Sequence, residues 1–168
     1  MKSQFEVISR QLEKSKILNQ INYEKQINQK TYNNLNLRIK NTSIVLRNLL
    51  EILNISKKRV YGYGAATKGN IILNQINANK KILKYIADAN PEKTGKYTPG
   101  TNIKIISKNQ MRKLKPEYLL VLIWSFRSEV IKQEINYINS GGKLIFHLPT
   151  LHIIDKYNYK DYLNNGKL

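Results

Sequence analysis

The sequence predicts an α/β fold, a Rossmann-like parallel sheet of about five strands with flanking helices, preceded by an N-terminal helical extension. Three observations predict it. From residue 59 onward, short apolar runs alternate with stretches of helical periodicity, the signature of strand–helix units. The run Tyr118 to Trp124 is apolar throughout rather than alternating, as suits a central parallel strand covered on both faces. A glycine-bracketed turn, Gly62-Tyr63-Gly64-Ala65-Ala66-Thr67-Lys68-Gly69, joins the first strand to the first helix of that series.

Residues 1–56 read as the helical extension and residues 57–168 as the domain. Phe5, Ile8 and Leu12, then Ile17, Leu18 and Ile21, give a thin apolar stripe at helical spacing. Asn22 and Asn33-Asn34 interrupt it. Ile44, Val45, Leu46, Leu49, Leu50, Ile52 and Leu53 suit a helix packed on a domain, with a cap expected at Asn41, Thr42 or Ser43. No heptad is sustained, which argues against a coiled coil.

In the domain, Arg59 to Tyr63 reads as a strand and Ala65 to about Ile76 as a helix. Ile82 to Ala87 reads as a second strand ending at Asp88. Asn90 to Gly100 carries the Pro and Gly of a loop. Ile103 to Ile106 is a short strand, followed by a short helix over Lys108 to Leu114. After the Tyr118–Trp124 strand, Arg127 to Asn139 reads as one amphipathic helix ended by Gly141-Gly142. Lys143 to Leu148 is expected to be the last strand, stopped by Pro149.

The formal net charge is +18. It divides into +7 over residues 1–58 and +11 over residues 59–168, so it forms no single arm or tail. The excess is lysine rather than the arginine that base-reading proteins favour. The spread argues against nucleic acid as partner, and a basic nucleic-acid-binding module stands as the alternative. There is no cysteine, so no disulfide and no cysteine-held metal. No apolar run is long enough to span a membrane. The first residues lack the apolar stretch of a secretion signal, which makes the cytoplasm the expected compartment.

The candidate site lies along the carboxyl ends of the strands, where sheets of this kind bind ligands. Gly62, Gly64 and Gly69 would let the backbone approach a phosphate, Lys68 would supply charge, and Tyr63, Ala65 and Asn70 complete the turn. The spacing is neither Gly-x-Gly-x-x-Gly nor the Gly-Lys-Ser/Thr order of a P-loop; the plainer reading is a strand-to-helix turn needing positive φ. Asp88 stands where an acid would accept from a ribose hydroxyl; its plainer reading is an Asx turn. That placement keeps an NAD-binding domain as a further alternative. Lys93, Lys96 and Tyr97 lie in a loop long enough to close over a ligand. Trp124 is read either as a stacking platform or as core, Ser125 follows it at the same corner, and His147 is expected to be satisfied within the core. Glu129 belongs in the first turn of its helix.

Taken together, these segments closely resemble one family. They are the glycine turn from Gly62 to Asn70, Asp88 to Thr101, Trp124 to Val130 and Gly141 to Ile145. The family is the C-terminal domain of S-adenosylmethionine-dependent sugar-nucleotide C-methyltransferases. The resemblance spans roughly Arg59 to Pro149, with a preceding helix over about Asn28 to Ile55. It implies a module that helps hold a nucleoside-diphosphate sugar. In the full enzymes a cysteine-bearing part binds zinc, and a middle domain carries the methyl donor and the catalytic base. The resemblance therefore implies no catalytic residue, metal or bound cofactor in this chain, with S-adenosylmethionine on a methyltransferase partner domain or subunit. The chain departs from the family's usual pattern at Ser125 in place of Asn, Ser128 in place of an acid, and Ala89 in place of an Arg that would pair a phosphate or carboxylate.

Overall fold

The computed structural model describes residues 4–25 and 29–164. The chain divides into two units, Met1–Lys40 and Asn41–Leu168. In the first, α1 (Gln4–Lys25) is followed by the start of α2 (Gln29–Ile55). The apolar side chains described there, Ile17, Leu18, Ile21, Leu35, Leu37 and Ile39, are exposed. Those of Phe5, Ile8 and Leu12, and residue Asn28, lie outside the described residues. No cap interrupts α2 at Asn41, Thr42 or Ser43, contrary to expectation. Each of those residues costs only tenths of a kcal/mol inside a helix (about 0.5 relative to Ala), and the leucine-rich turns that follow outweigh that.

The second unit is a six-stranded sheet in the order β3-β2-β1-β4-β5-β6. Its strands are β1 (Val60–Tyr63), β2 (Tyr85–Asp88), β3 (Lys104–Ser107), β4 (Tyr118–Val121), β5 (Lys143–Phe146) and β6 (His152–Ile154). The first five pair in parallel, as expected. The sixth is an addition: β6 turns back antiparallel on β5 beyond Pro149, pairing Phe146 with His152. An antiparallel return needs only a short connection, whereas a parallel one needs a crossover. Strand β2 begins at Tyr85 rather than Ile82. Asn79 captures the preceding residues in a turn, its carbonyl accepting from the N–H groups of Ile82 and Leu83 and its side chain from that of Lys81.

The helices are α3 (Thr67–Gln75), α4 (Lys108–Leu114), α5 (Arg127–Gln133), α6 (Ile135–Asn139) and α7 (Tyr159–Asn164). Ser107 and Gln110 form a reciprocal capping box at the start of α4. Strand alternation sends Val60, Ile86, Leu120 and Ile145 to one face, against Leu46, Leu50 and Leu53 of α2 and Leu73 of α3. Tyr61, Tyr63, Leu119, Val121 and Leu144 go to the other, against Met111 of α4, Val130 and Ile131 of α5 and Ile138 of α6. Arg47 of α2 donates to the carbonyls of Ile76 and Asn77, satisfying the exposed end of α3.

The expected single helix over Arg127 to Asn139 is two. Glu134 sits between α5 and α6 at φ −107° and ψ 21° and is fully buried. Its carboxylate accepts from the Tyr63 hydroxyl at 2.8 Å and from Arg112 at 3.0 Å, with Lys108 at 3.8 Å.

Candidate functional site

Strand order reverses between β1 and β4, so the crevice expected to take a ligand in such a sheet opens at their carboxyl ends. Here β1 runs into the turn at Gly64, whose φ of +86° is the left-handed conformation glycine adopts without strain. The Gly64 N–H donates to the Ala87 carbonyl at 2.7 Å, and its own carbonyl accepts from Ala66. A Cβ on Gly64 would lie 2.7 Å from Ile123, one on Gly62 2.8 Å from Ile86, and one on Gly69 2.7 Å from Leu122. The absent side chains thus make room for protein: β2 beside β1, and the end of β4 beneath α3.

The turn is clamped from β2. One Asp88 carboxylate oxygen accepts from the Ala65 N–H at 2.7 Å and the other from the Asn90 N–H at 2.8 Å, the second closing an Asx turn. Lys93, in a 3-10 turn over Pro91–Lys93, donates to the Ala65 carbonyl at 2.9 Å and lies 3.6 Å from Asp88. Asp88 and Lys93 therefore hold the glycine turn in shape from the same edge.

Beyond the turn, α3 starts at Thr67 with no side-chain cap. Its first backbone bond runs from Asn70 N–H to Ala66 carbonyl, so the N–H groups of Thr67, Lys68 and Gly69 have no partner within the helix. Lys68 is exposed there, and the side-chain oxygen of Asn70 is buried without a hydrogen-bond partner. An uncapped helix start beside a free ammonium can receive an anion.

Trp124 and Ser125 occupy a 3-10 turn, Trp124–Phe126, just past β4. The half-buried Trp124 ring meets the His147 imidazole edge-on, centroids 4.8 Å apart. His147 is 1% exposed and neither ring nitrogen has a partner, contrary to the expectation of a satisfied histidine. The strand end carries it between apolar neighbours, and burial pushes its pKa down to about 4.

Three expected site residues lie elsewhere. The Tyr63 ring is buried on the opposite face of the sheet; burial and its bond to Glu134 raise its pKa. Lys96 and Tyr97 run along the outer edge of β3: the Lys96 carbonyl accepts from Ile105 N–H at 2.8 Å, and Tyr97 bridges Lys104. Tyr97 lines a cavity of about 580 Å³ at the amino ends of β2 and β3. Lys80, Lys84 and Lys104, which the sequence did not single out, share that cavity; the available signal was that two of them directly precede or begin adjacent strands. A second cavity, about 540 Å³, lies at the amino ends of β1, β4 and β5, lined by Arg59, Arg112, Lys115, Glu117 and Tyr137. Glu117 accepts from the Arg59 N–H and from Lys58, which holds its pKa below the usual range. Among the described residues no group of three or more His, Asp or Glu could hold a metal ion. No described helix is long and apolar enough to cross a membrane.

A family model described as the C-methyltransferase C-terminal domain matches residues 6–149. Over 109 residues the chain is 32% identical to C-methyltransferase NovU of Streptomyces niveus, covering 65% of this chain and 26% of that protein. The matched stretch thus spans about a quarter of the relative's length.

Proposed function

The chain belongs to the C-methyltransferase C-terminal domain family, and on that premise we propose that it is the nucleotide-sugar-binding module of an S-adenosylmethionine-dependent sugar C-methyltransferase. The observation that carries the reading is the uncapped start of α3 at the carboxyl edge, beside the point where strand order reverses. The diphosphate of a nucleoside-diphosphate sugar lies against the N–H groups of Thr67, Lys68 and Gly69, with the Lys68 ammonium beside it. The Asp88–Ala65–Lys93 clamp fixes the turn before the ligand arrives, so little ordering is left for binding to supply. Trp124 and Ser125 bound the same edge from β4.

A partner domain, or a separate methyltransferase polypeptide, brings S-adenosylmethionine and the base that removes the proton beside the sugar ketone. This chain alone binds and does not methylate. Titration of thymidine diphosphate followed by backbone amide NMR tests the reading. The largest shifts are expected over Gly64 to Asn70, and Lys68→Glu should weaken binding about tenfold, the size of one charge-assisted contact. A folded protein whose Gly64–Asn70 amides do not respond to thymidine diphosphate overturns it.

A further inference from the structure

We infer that the cavity at the amino ends of β2 and β3 is a separate binding site for a multiply charged phosphate anion. Lys80, Lys84 and Lys104 line it together with Tyr85, Tyr97 and Asn102. No carboxylate is among the lining residues, and none of the three ammoniums forms an ion pair among the described residues. Bringing three like charges around one concavity raises the local potential, and an incoming anion relieves that repulsion. Three cations elsewhere each have a carboxylate at close range: Lys58 has Glu117, Lys93 has Asp88 and Arg112 has Glu134. What sets Lys80, Lys84 and Lys104 apart is that all three line one concavity with no carboxylate among its walls.

Its walls are held before any ligand arrives. The Tyr97 backbone bridges Lys104, while flanking bonds tie the Lys96 carbonyl to Ile105 and the Thr98 N–H to the Ile103 carbonyl. The buried Thr98 hydroxyl accepts from the Ile103 N–H at 3.0 Å and meets Thr101 at 2.7 Å. Tyr85 is braced edge-on by Tyr61 at 5.4 Å. Tyr97 is 55% exposed, so one wall offers an aromatic residue beside the cations. Ammoniums beside an exposed aromatic residue suit a phosphate chain, either inorganic or attached to a planar base that covers Tyr97. The cavity lies at the opposite strand ends from the glycine turn, and the inference stands whether or not the nucleotide-sugar reading holds.

The test uses the full chain, inorganic pyrophosphate as probe and amide NMR at low ionic strength. The expected result is saturable shifts centred on Tyr97, Asn102 and Lys104. Replacing Lys80, Lys84 and Lys104 together by Gln should weaken binding at least about tenfold. The same charge change made at Lys132, Lys156 and Lys160 should weaken it less than about twofold, since separated exposed charges are screened. A second arm uses uridine diphosphate. Tighter binding than pyrophosphate, abolished by Tyr97→Ala, assigns a ligand with a ring; equal binding assigns the phosphate chain alone. No saturable shift at Tyr97, Asn102 or Lys104, whatever happens at Gly64 to Asn70, or equal losses in the two triple variants, would each overturn the inference.

Discussion

Gly64 and Gly95 share a φ of +86° in opposite surroundings: Ile123 crowds the position of a Cβ on Gly64, and nothing lies within 4 Å of one on Gly95. Gly95→Ala should cost about 1 kcal/mol, the strain of a left-handed alanine. Gly64→Ala adds overpacking against Ile123 and should cost roughly 3 kcal/mol or more. Urea unfolding of the two variants checks the difference; equal losses would mean that the turn yields freely. His147 gives the other test at this scale. Unfolded, its imidazole titrates near 6.5; folded, burial lowers that to about 4. The fold favours the neutral ring, so the histidine's contribution is complete above pH 6.5, declines as pH falls, and is gone near pH 4. The total is about 3 kcal/mol. His147→Leu should therefore lose less stability than the parent between about pH 7 and about pH 4.5, measured by urea midpoint. The left-handed turn at Gly64 was legible because a strand must turn sharply into a helix there. The steric work of Gly62 and Gly69 was not, because Ile86 and Leu122 come from other strands.

Among the elements, the break between α5 and α6 depends on a tertiary group. Arg127 to Asn139 carries an unbroken amphipathic pattern, and local sequence reads it as one helix. Glu134 departs from helical geometry where its carboxylate is enclosed by Tyr63, Arg112 and Lys108, contacts invisible to any local pattern. Glu134→Ala leaves the buried Tyr63 hydroxyl only the weaker contact to Gln133 at 3.4 Å and leaves Arg112 without its carboxylate. A loss of about 1–3 kcal/mol is expected, the cost of an under-satisfied buried hydroxyl, because the half-exposed Arg112 is rehydrated. Tyr63→Phe alone should cost about 1 kcal/mol, the net value of one hydrogen bond. Thermal or urea unfolding of both variants measures the ratio, and comparable losses would mean that the carboxylate acts only through the tyrosine. The five parallel strands and α4 were readable because each fills a run of continuous hydrophobicity or a bounded periodic stretch. Strand β6 was not, since three residues after a proline carry no periodicity of their own. The candidate site was half legible for a related reason: Asp88 and Lys93 meet the glycine turn, whereas the same loop carries Tyr97 away to the other end of the strands.

At the scale of the molecule, the division near residue 40 predicts unequal effects of shortening the chain. A chain of residues 41–168 keeps Leu46, Leu50 and Leu53 on the sheet and should unfold within about 0.5 kcal/mol of the full chain, because the described side chains before it are exposed. A chain of residues 59–168 uncovers that sheet face. Losing three fully packed leucines, each worth about 2–5 kcal/mol, exceeds the stability of an ordinary domain, so cooperative unfolding should vanish. Calorimetry of the two shortened chains decides it; a cooperative transition in the shorter one would place the folding core wholly in the sheet and its later helices. The two margins of the sheet have a related consequence. On one side, residues 95–97 already bond to Lys104 and Ile105 of β3. On the other, β6 is three residues long and its His152 ring is sandwiched between Phe146 and Tyr162. Neither margin offers a long flat row of vacant amides on which a foreign strand could template itself, so a chain this rich in isoleucine is guarded against fibril growth by its own loop and its own rings.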